Sequence, residues 1–212
     1  MSKEVPPSFA GGMAVENRAG LTLRRVREDL LVCISGVGKV NAALAAQLLI
    51  GQFQIQALWN AGVVGCFQPL PVGTLIFATA CVQHDLDVFG DPPGQVPVLE
   101  RVFLPCSDPE ADAARLQKAG LPCTAGVVAT GDWFGQDFQR AEHIRDRFGA
   151  LMCDMEAGAI AQVCLRNQIP FHCLKVVSDH LDHPAQYDEY QKNLPVAVEQ
   201  LNLALECLLK EA

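Results

Sequence analysis

Leu30-Leu31-Val32-Cys33-Ile34 is an unbroken apolar run that stops at Ser35-Gly36-Val37-Gly38 and gives way to an Ala/Leu-rich stretch through Leu49. A strand with no polar face must be covered on both sides, and a glycine turn leading straight into a helix supplies one cover. The rhythm recurs. Ala57-Leu58-Trp59-Asn60 reads as a strand ending in Ala61-Gly62-Val63-Val64-Gly65, and Gly73 to Thr79 and Ala125 to Thr130 read as further strands. Past Asp154, residues Ala157, Ile160, Ala161 and Cys164 fall at i, i+3, i+4, i+7, the spacing of one helix face. Phe171 to Val177 is another buried strand and Leu194 to Leu209 a closing helix, whereas Pro92 to Pro109 has the texture of a loop. This alternation predicts an α/β fold: a single domain over residues 1–212, with a central sheet, mostly parallel or mixed, flanked by helices.

Charge narrows the partners. Sixteen basic against 24 acidic residues leave a net charge of −8, the wrong sign for gripping a phosphate backbone, so no nucleic acid is expected. The longest apolar run is too short to span a bilayer, and Pro6, Pro7 and Gly11-Gly12 interrupt any signal-peptide core. No membrane partner is expected, and a small molecule is the anticipated ligand. The nine cysteines are scattered without a CxxC pair. An odd set of thiols inside apolar runs behaves as small hydrophobes in a reducing cytoplasm, not as a disulfide framework.

Ligands of open α/β sheets bind beyond the carboxyl ends of strands. That rule selects Ser35-Gly36, Gly62 to Gly65, Gly131 to Phe134 and Ser178-Asp179. Gly36-Val37-Gly38-Lys39 lacks the spacing of a Walker loop and is followed by Val40, so a tight strand-to-helix turn is the simpler reading. Asp154-Met155-Glu156 precedes a helix, where acidic residues commonly cap or meet the dipole, yet a ligand can also enter there. Asp179 ends a buried strand, a place for an acid-base carboxylate if burial lifts its pKa, or for a turn cap. His180, Asp182 and His183 fall close together, but no third partner is placed by spacing; no metal and no cofactor are expected.

Five stretches together resemble the 5'-methylthioadenosine/S-adenosylhomocysteine nucleosidases of the nucleoside phosphorylase superfamily. Ser35-Gly36-Val37-Gly38-Lys39-Val40-Asn41-Ala42-Ala43 is similar to S-G-I-G-K-V-x-A-A, and Asn60-Ala61-Gly62-Val63-Val64-Gly65 to N-T-G-S-A-G. His84-Asp85-Leu86-Asp87-Val88 with Phe89-Gly90 and Gly94-Gln95-Val96-Pro97 resembles H-D-x-D-V-T-A-F-G and G-Q-x-P. Met155-Glu156-Ala157-Gly158-Ala159-Ile160-Ala161 resembles the V-E-M-E-x-x-A-I-A segment, and Ser178-Asp179-His180-Leu181-Asp182 the S-D-x-x-D turn.

The resemblance implies cleavage of an adenine nucleoside at its N-glycosidic bond by a cytoplasmic homodimer. Asp179, supported by Ser178, would protonate N7 of adenine. Glu156 would grip the ribose hydroxyls with Met155 beneath the sugar. Phe134 would stack on the base and the Gly135 backbone would meet its edge. Val63, Val64 and Gly65 would line the water site. The departures are Val63 in place of a serine, Trp133 in place of a small residue, Gly135 in place of an apolar one, and a His84 loop two residues short. That loop lines the 5'-substituent pocket in the family. These departures bear on the 5'-group, so a futalosine hydrolase is one alternative; a purine nucleoside phosphorylase and a weakly active nucleoside-binding homologue are the others. Met1-Ser2-Lys3-Glu4-Val5 resembles the M-x-E-E-V end of the family's opening turn. On that alignment Glu4 is the water-activating base and the family's first strand is missing, so the chain is expected to bind nucleosides but turn them over poorly.

Overall fold

The computed structural model describes residues 5–16, 19–135, 137–182 and 184–210. After a single helical turn, α1 (Pro7–Ala10), three strands form a small antiparallel sheet: β1 (Met13–Ala14), β2 (Thr22–Arg27) and β3 (Leu30–Ile34). Helix α2 (Lys39–Phe53) follows, and then the main sheet begins with β4 (Leu58–Cys66) and β5 (Leu75–Gln83). A 3₁₀ turn at Pro97–Leu99 and the short β6 (Leu104–Pro105) lead to α3 (Pro109–Lys118). The chain ends through β7 (Cys123–Thr130), α4 (Phe138–Phe148), β8 (Ala150–Asp154), α5 (Ala157–Asn167), β9 (Phe171–His180) and α6 (Gln186–Lys210).

The sheet is mixed and curls further than the sequence suggested. β4 pairs with β9, and β7 with both β5 and β8, all in parallel. β9 also pairs antiparallel with β5 at Leu75–Phe77, and β4 pairs antiparallel with β8 at Gly65–Cys66. Five strands thus close into a ring, a mixed sheet flanked by helices as expected. One apolar cluster, including Ala42, Ala46, Ile160, Ala161 and Cys164, packs α2 and α5 on one face. A second, including Leu116, Leu201, Leu205 and Leu208, packs α3 and α6 on the other. The four positions assigned to one face of α5 are all buried.

Several boundaries differ, for physical reasons. Gly62 to Gly65 is not a loop: β4 runs through it to Cys66, because β9 pairs with it along its whole length. β9 in turn carries Ser178 and Asp179 inside the strand instead of after it. α6 begins at Gln186, eight residues before Leu194, and takes Pro195 into its interior. β1, β2, α3, α4 and β8 complete the order.

One edge of β4 is almost unpaired. β8 meets it only at Gly65 and Cys66, leaving Leu58 to Val64 without a strand neighbour among the described residues. The outer edge of β3 is likewise free, and both strands line one cavity of about 1160 Å³. Leu30 to Ile34 and Leu58 to Gly65 line it residue after residue. Side chains alternate across a strand, so contact with every residue means that the backbone edges themselves face the space.

Candidate active site

The inner end of this cavity is where the sequence-selected segments meet. Ser35, Trp133, Phe134, Gly135, Met155 and Glu156 line it together with Ser178 and Asp179. Val63, Val64 and Gly65 reach it from β4.

Asp179 owes its geometry to a β-bulge. Val64 pairs with Val177 but Gly65 pairs with Asp179, so Ser178 is the extra residue on β9. A bulge re-aims side chains locally, and here Ser178 Oγ reaches Asp179 Oδ1 at 2.6 Å while lying 3.2 Å from the carbonyl of Val64. Gln186 Nε2, from the first turn of α6, donates to Asp179 Oδ2 at 2.7 Å. Gly65 leaves room for this carboxylate: a Cβ there would stand 3.1 Å from Asp179 Oδ2 and from Leu181. Burial pushes the Asp179 carboxyl above its usual range, the bonds from Ser178 and Gln186 oppose the rise, and the negative Glu189 adds to it. A carboxyl raised by burial and facing a cavity is a candidate proton donor. It is a strand residue tied to a helix, not the cap of a turn.

Glu156 is held from across the site: Gly38 N donates to its Oε1 at 3.0 Å. Gly38 sits at φ +94°, a conformation that L side chains rarely adopt, and a Cβ there would crowd Asp132 Oδ1 at 3.1 Å. Lys39 N donates to that same Asp132 oxygen at 2.8 Å. The start of α2 is therefore satisfied by two carboxylates, the charge sign its dipole favours.

Asp154 takes the structural role weighed for it. Its Oδ2 accepts from Ala157 N at 2.9 Å at the start of α5, and Thr130 Oγ1 donates to its Oδ1. It also pairs with Lys175 Nζ at 2.7 Å, with both side chains almost fully buried. Burial alone would lower the Lys175 pKa, but Asp154 outweighs it, with Glu156 contributing, and the ammonium stays charged. Lys175 lines the cavity and was not singled out from the sequence. Its signal was a lysine inside the apolar run from Cys173 to Val177, a place where a charge survives only with a partner.

Phe134 is half exposed at the mouth and meets Tyr187 and Tyr190 edge-on, at centroid distances of 6.2 and 5.7 Å. The two tyrosines line the same cavity. The departures at Trp133 and Gly135 compensate each other: a Cβ at Gly135 would lie 2.9 Å from Trp133 Nε1, so the indole fills the space a side chain there would take. Val63, like Val32 and Trp59, packs against the apolar cluster that contains Leu201, Leu205 and Leu208 of α6. No residue from His84 to Phe103 lines the cavity within a single chain. Val88, Phe89, Val98 and Phe103 are instead exposed.

His180 is committed elsewhere, its ring bonded to Glu189 Oε1 at 2.9 Å and the Leu70 carbonyl at 2.8 Å. His183 and Glu4 lie outside the described residues, although Val5 lines the cavity. Among the described residues no group of three or more His, Cys, Asp or Glu side chains has the arrangement of a metal site, and no helix is long and apolar enough to cross a membrane. All nine cysteines are free thiols, and burial pushes Cys33 up to about 11 and Cys164 up to about 12.

Carboxylates carried by a closed, mixed sheet and its helices converge at one end of the cavity, and the chain belongs to the phosphorylase superfamily, whose family model matches residues 16–210. It is 37% identical over 191 residues to a 5'-methylthioadenosine/S-adenosylhomocysteine nucleosidase from Marinomonas sp. (strain MWYL1), across 86% of this chain and 81% of the relative. It is also 37% identical over 166 residues to an aminodeoxyfutalosine nucleosidase from Campylobacter jejuni, across 76% of this chain and 72% of the relative. The solved 5'-methylthioadenosine/S-adenosylhomocysteine nucleosidase from Neisseria meningitidis, in complex with methylthio-immucillin-A, matches with a TM-score of 0.91 at 25% identity, covering 100% of this chain and 96% of that one.

Proposed function

We propose that this protein hydrolyses the N-glycosidic bond of 5'-methylthioadenosine, S-adenosylhomocysteine or both, releasing adenine in the course of methionine salvage. The observation that carries the reading is Asp179, a carboxyl with a raised pKa held at the cavity by Ser178 and Gln186. As the bond between the sugar and N9 breaks, its electron pair flows into the purine, and a proton from Asp179 to N7 neutralises the leaving base. Positive charge develops on the ribose, where Glu156, fixed by Gly38, supplies negative potential and an acceptor for the hydroxyls. Met155 lies beneath the sugar, Phe134 stacks on the base, the Gly135 backbone meets the purine edge, and Val63, Val64 and Gly65 bound the water site. The water adds to the anomeric carbon and gives up a proton to a base, for which Glu4 is the candidate.

Release of adenine by the purified protein in phosphate-free buffer tests the reaction. A tenfold acceleration by added phosphate, with ribose-1-phosphate accumulating, would identify a phosphorylase instead. The aminodeoxyfutalosine nucleosidase relative supports a second reading of the 5'-group; comparing kcat/KM for methylthioadenosine and a futalosine-type nucleoside decides between them. We place the protein in the cytoplasm, as the free thiols suit. We expect a homodimer formed through the exposed apolar residues between Val88 and Phe103; a monomer at micromolar concentration in sedimentation would contradict it.

A further inference from the structure

Gln186 is 2% exposed, lines the cavity, and has an incomplete set of partners. Its Nε2 donates to Asp179 Oδ2 at 2.7 Å, while its Oε1 is buried with no hydrogen-bond partner. A buried carboxamide used only as scaffold ordinarily satisfies both ends. Here its one side-chain hydrogen bond goes to the proposed proton donor.

The groups around Asp179 leave this task to Gln186. On β9, Ser178 Oγ holds Oδ1, and His180 is engaged by Glu189 and Leu70. On α6, Glu189 faces Asp179 but accepts from His180 N and Nδ1. β4 offers Gly65 and the thiol of Cys66, and β8 the thiol of Cys153, both thiols pushed up by burial. None of these donates to Oδ2.

We propose that Gln186 is a positioning residue that holds Asp179 through both halves of its proton transfer. When Asp179 is a carboxylate, the Gln186 N–H donates to Oδ2, as in this structure. When Asp179 carries its proton on Oδ2, a half-turn of the carboxamide presents Oε1 as the acceptor. Either orientation leaves one end of the carboxamide unpaired, which matches the orphaned Oε1 observed. A carboxamide offers a donor and an acceptor of nearly equal reach; methionine offers neither. The inference rests on Asp179 being the acid of the proposed reaction.

The test is the pH dependence of kcat/KM for Gln186→Met and Gln186→Ala, with Asp179→Asn alongside and thermal unfolding to establish that each variant is folded. Activity requires protonated Asp179 and so declines as pH rises past its pKa. Gln186→Met removes a stronger bond to the carboxylate and a weaker one to the acid, so the alkaline limb moves upward by their difference, about one pH unit. Gln186→Met is also expected to lower kcat about tenfold with KM within twofold, since the carboxylate left after transfer is unsupported. If Gln186→Met does not fold, Gln186→Ala reads the same point, because it too removes both the donor and the acceptor without adding a charge. An alkaline limb unmoved to within 0.3 unit, roughly the precision such profiles need to resolve one hydrogen bond, overturns the role of Gln186. If Asp179→Asn retains full activity, it is the reading of Asp179 that fails.

Discussion

Replacing Asp179 by Asn separates catalysis from folding at one atom pair. The amide fits the existing contacts: its oxygen accepts from Gln186 Nε2, now at 2.7 Å from Oδ2, and its nitrogen donates to Ser178 Oγ, now at 2.6 Å from Oδ1. The Ser178 hydroxyl then turns to the Val64 carbonyl, 3.2 Å away. No buried polar atom loses a partner, so the fold is expected to survive. Its stability at neutral pH should not fall. Asp179 binds its proton more tightly folded than unfolded, since burial raises its pKa. Its contribution to stability is therefore full below the unfolded value near 3.8 and is lost as pH rises through the folded value. At pH 7 the buried carboxylate is a burden that the amide does not carry. Turnover should behave oppositely. General acid catalysis contributes about 10²- to 10⁴-fold, so kcat/KM should drop by that factor, equivalent to about 2.7–5.5 kcal/mol in the barrier. Adenine release and a thermal melt at pH 7 on the same preparation check both halves. Near-normal turnover would refute proton donation by Asp179; a large fall in Tm would show that the carboxylate is structural after all.

Lys175→Met strands Asp154 as an uncompensated buried charge and should cost about 3–5 kcal/mol in denaturant unfolding; a change under 1 kcal/mol would mean that Asp154 is neutralised by Thr130 and the Ala157 N–H alone. Gly135→Leu should clash with the Trp133 indole and destabilise by about 1–3 kcal/mol, and the double change with Trp133→Gly should recover it; strictly additive effects would show that the two positions do not compensate. Glu4→Gln should lower kcat/KM for adenine release by about 10²- to 10⁴-fold while leaving Tm in place, as for loss of a general base. Full activity of the 212-residue chain, unaffected by Glu4→Gln, would remove Glu4 from the mechanism.

Local chemistry wrote much of this protein into its sequence. The run Leu30–Ile34 became β3 with unchanged limits, but as an edge strand of the small antiparallel sheet it is half-buried and not covered on both faces as its apolar pattern predicted. The α5 face was legible from its spacing, and the turn at Gly36 and Gly38 from the residue type that adopts positive φ most readily. Two helices were also within reach: α3 opens on Pro109 with Glu110 and Asp112, and α4 is capped by Asp137, which accepts from Arg140 N, and ends at Gly149. β2 was hidden because Thr22–Arg27 is rich in arginine; only pairing with β3 makes it a strand. What tertiary structure decided was every relation between distant segments. Pairing with β9 extends β4 through its glycines, and the same register inserts the bulge that turns Ser178 onto Asp179. The start of α6 brings Gln186 to that carboxylate, and β8 delivers Asp154 to Lys175. A pattern along the chain fixes which face of a strand or helix is apolar. It carries no record of which two edges meet, or of which residue a bulge displaces, and the site is built from those choices.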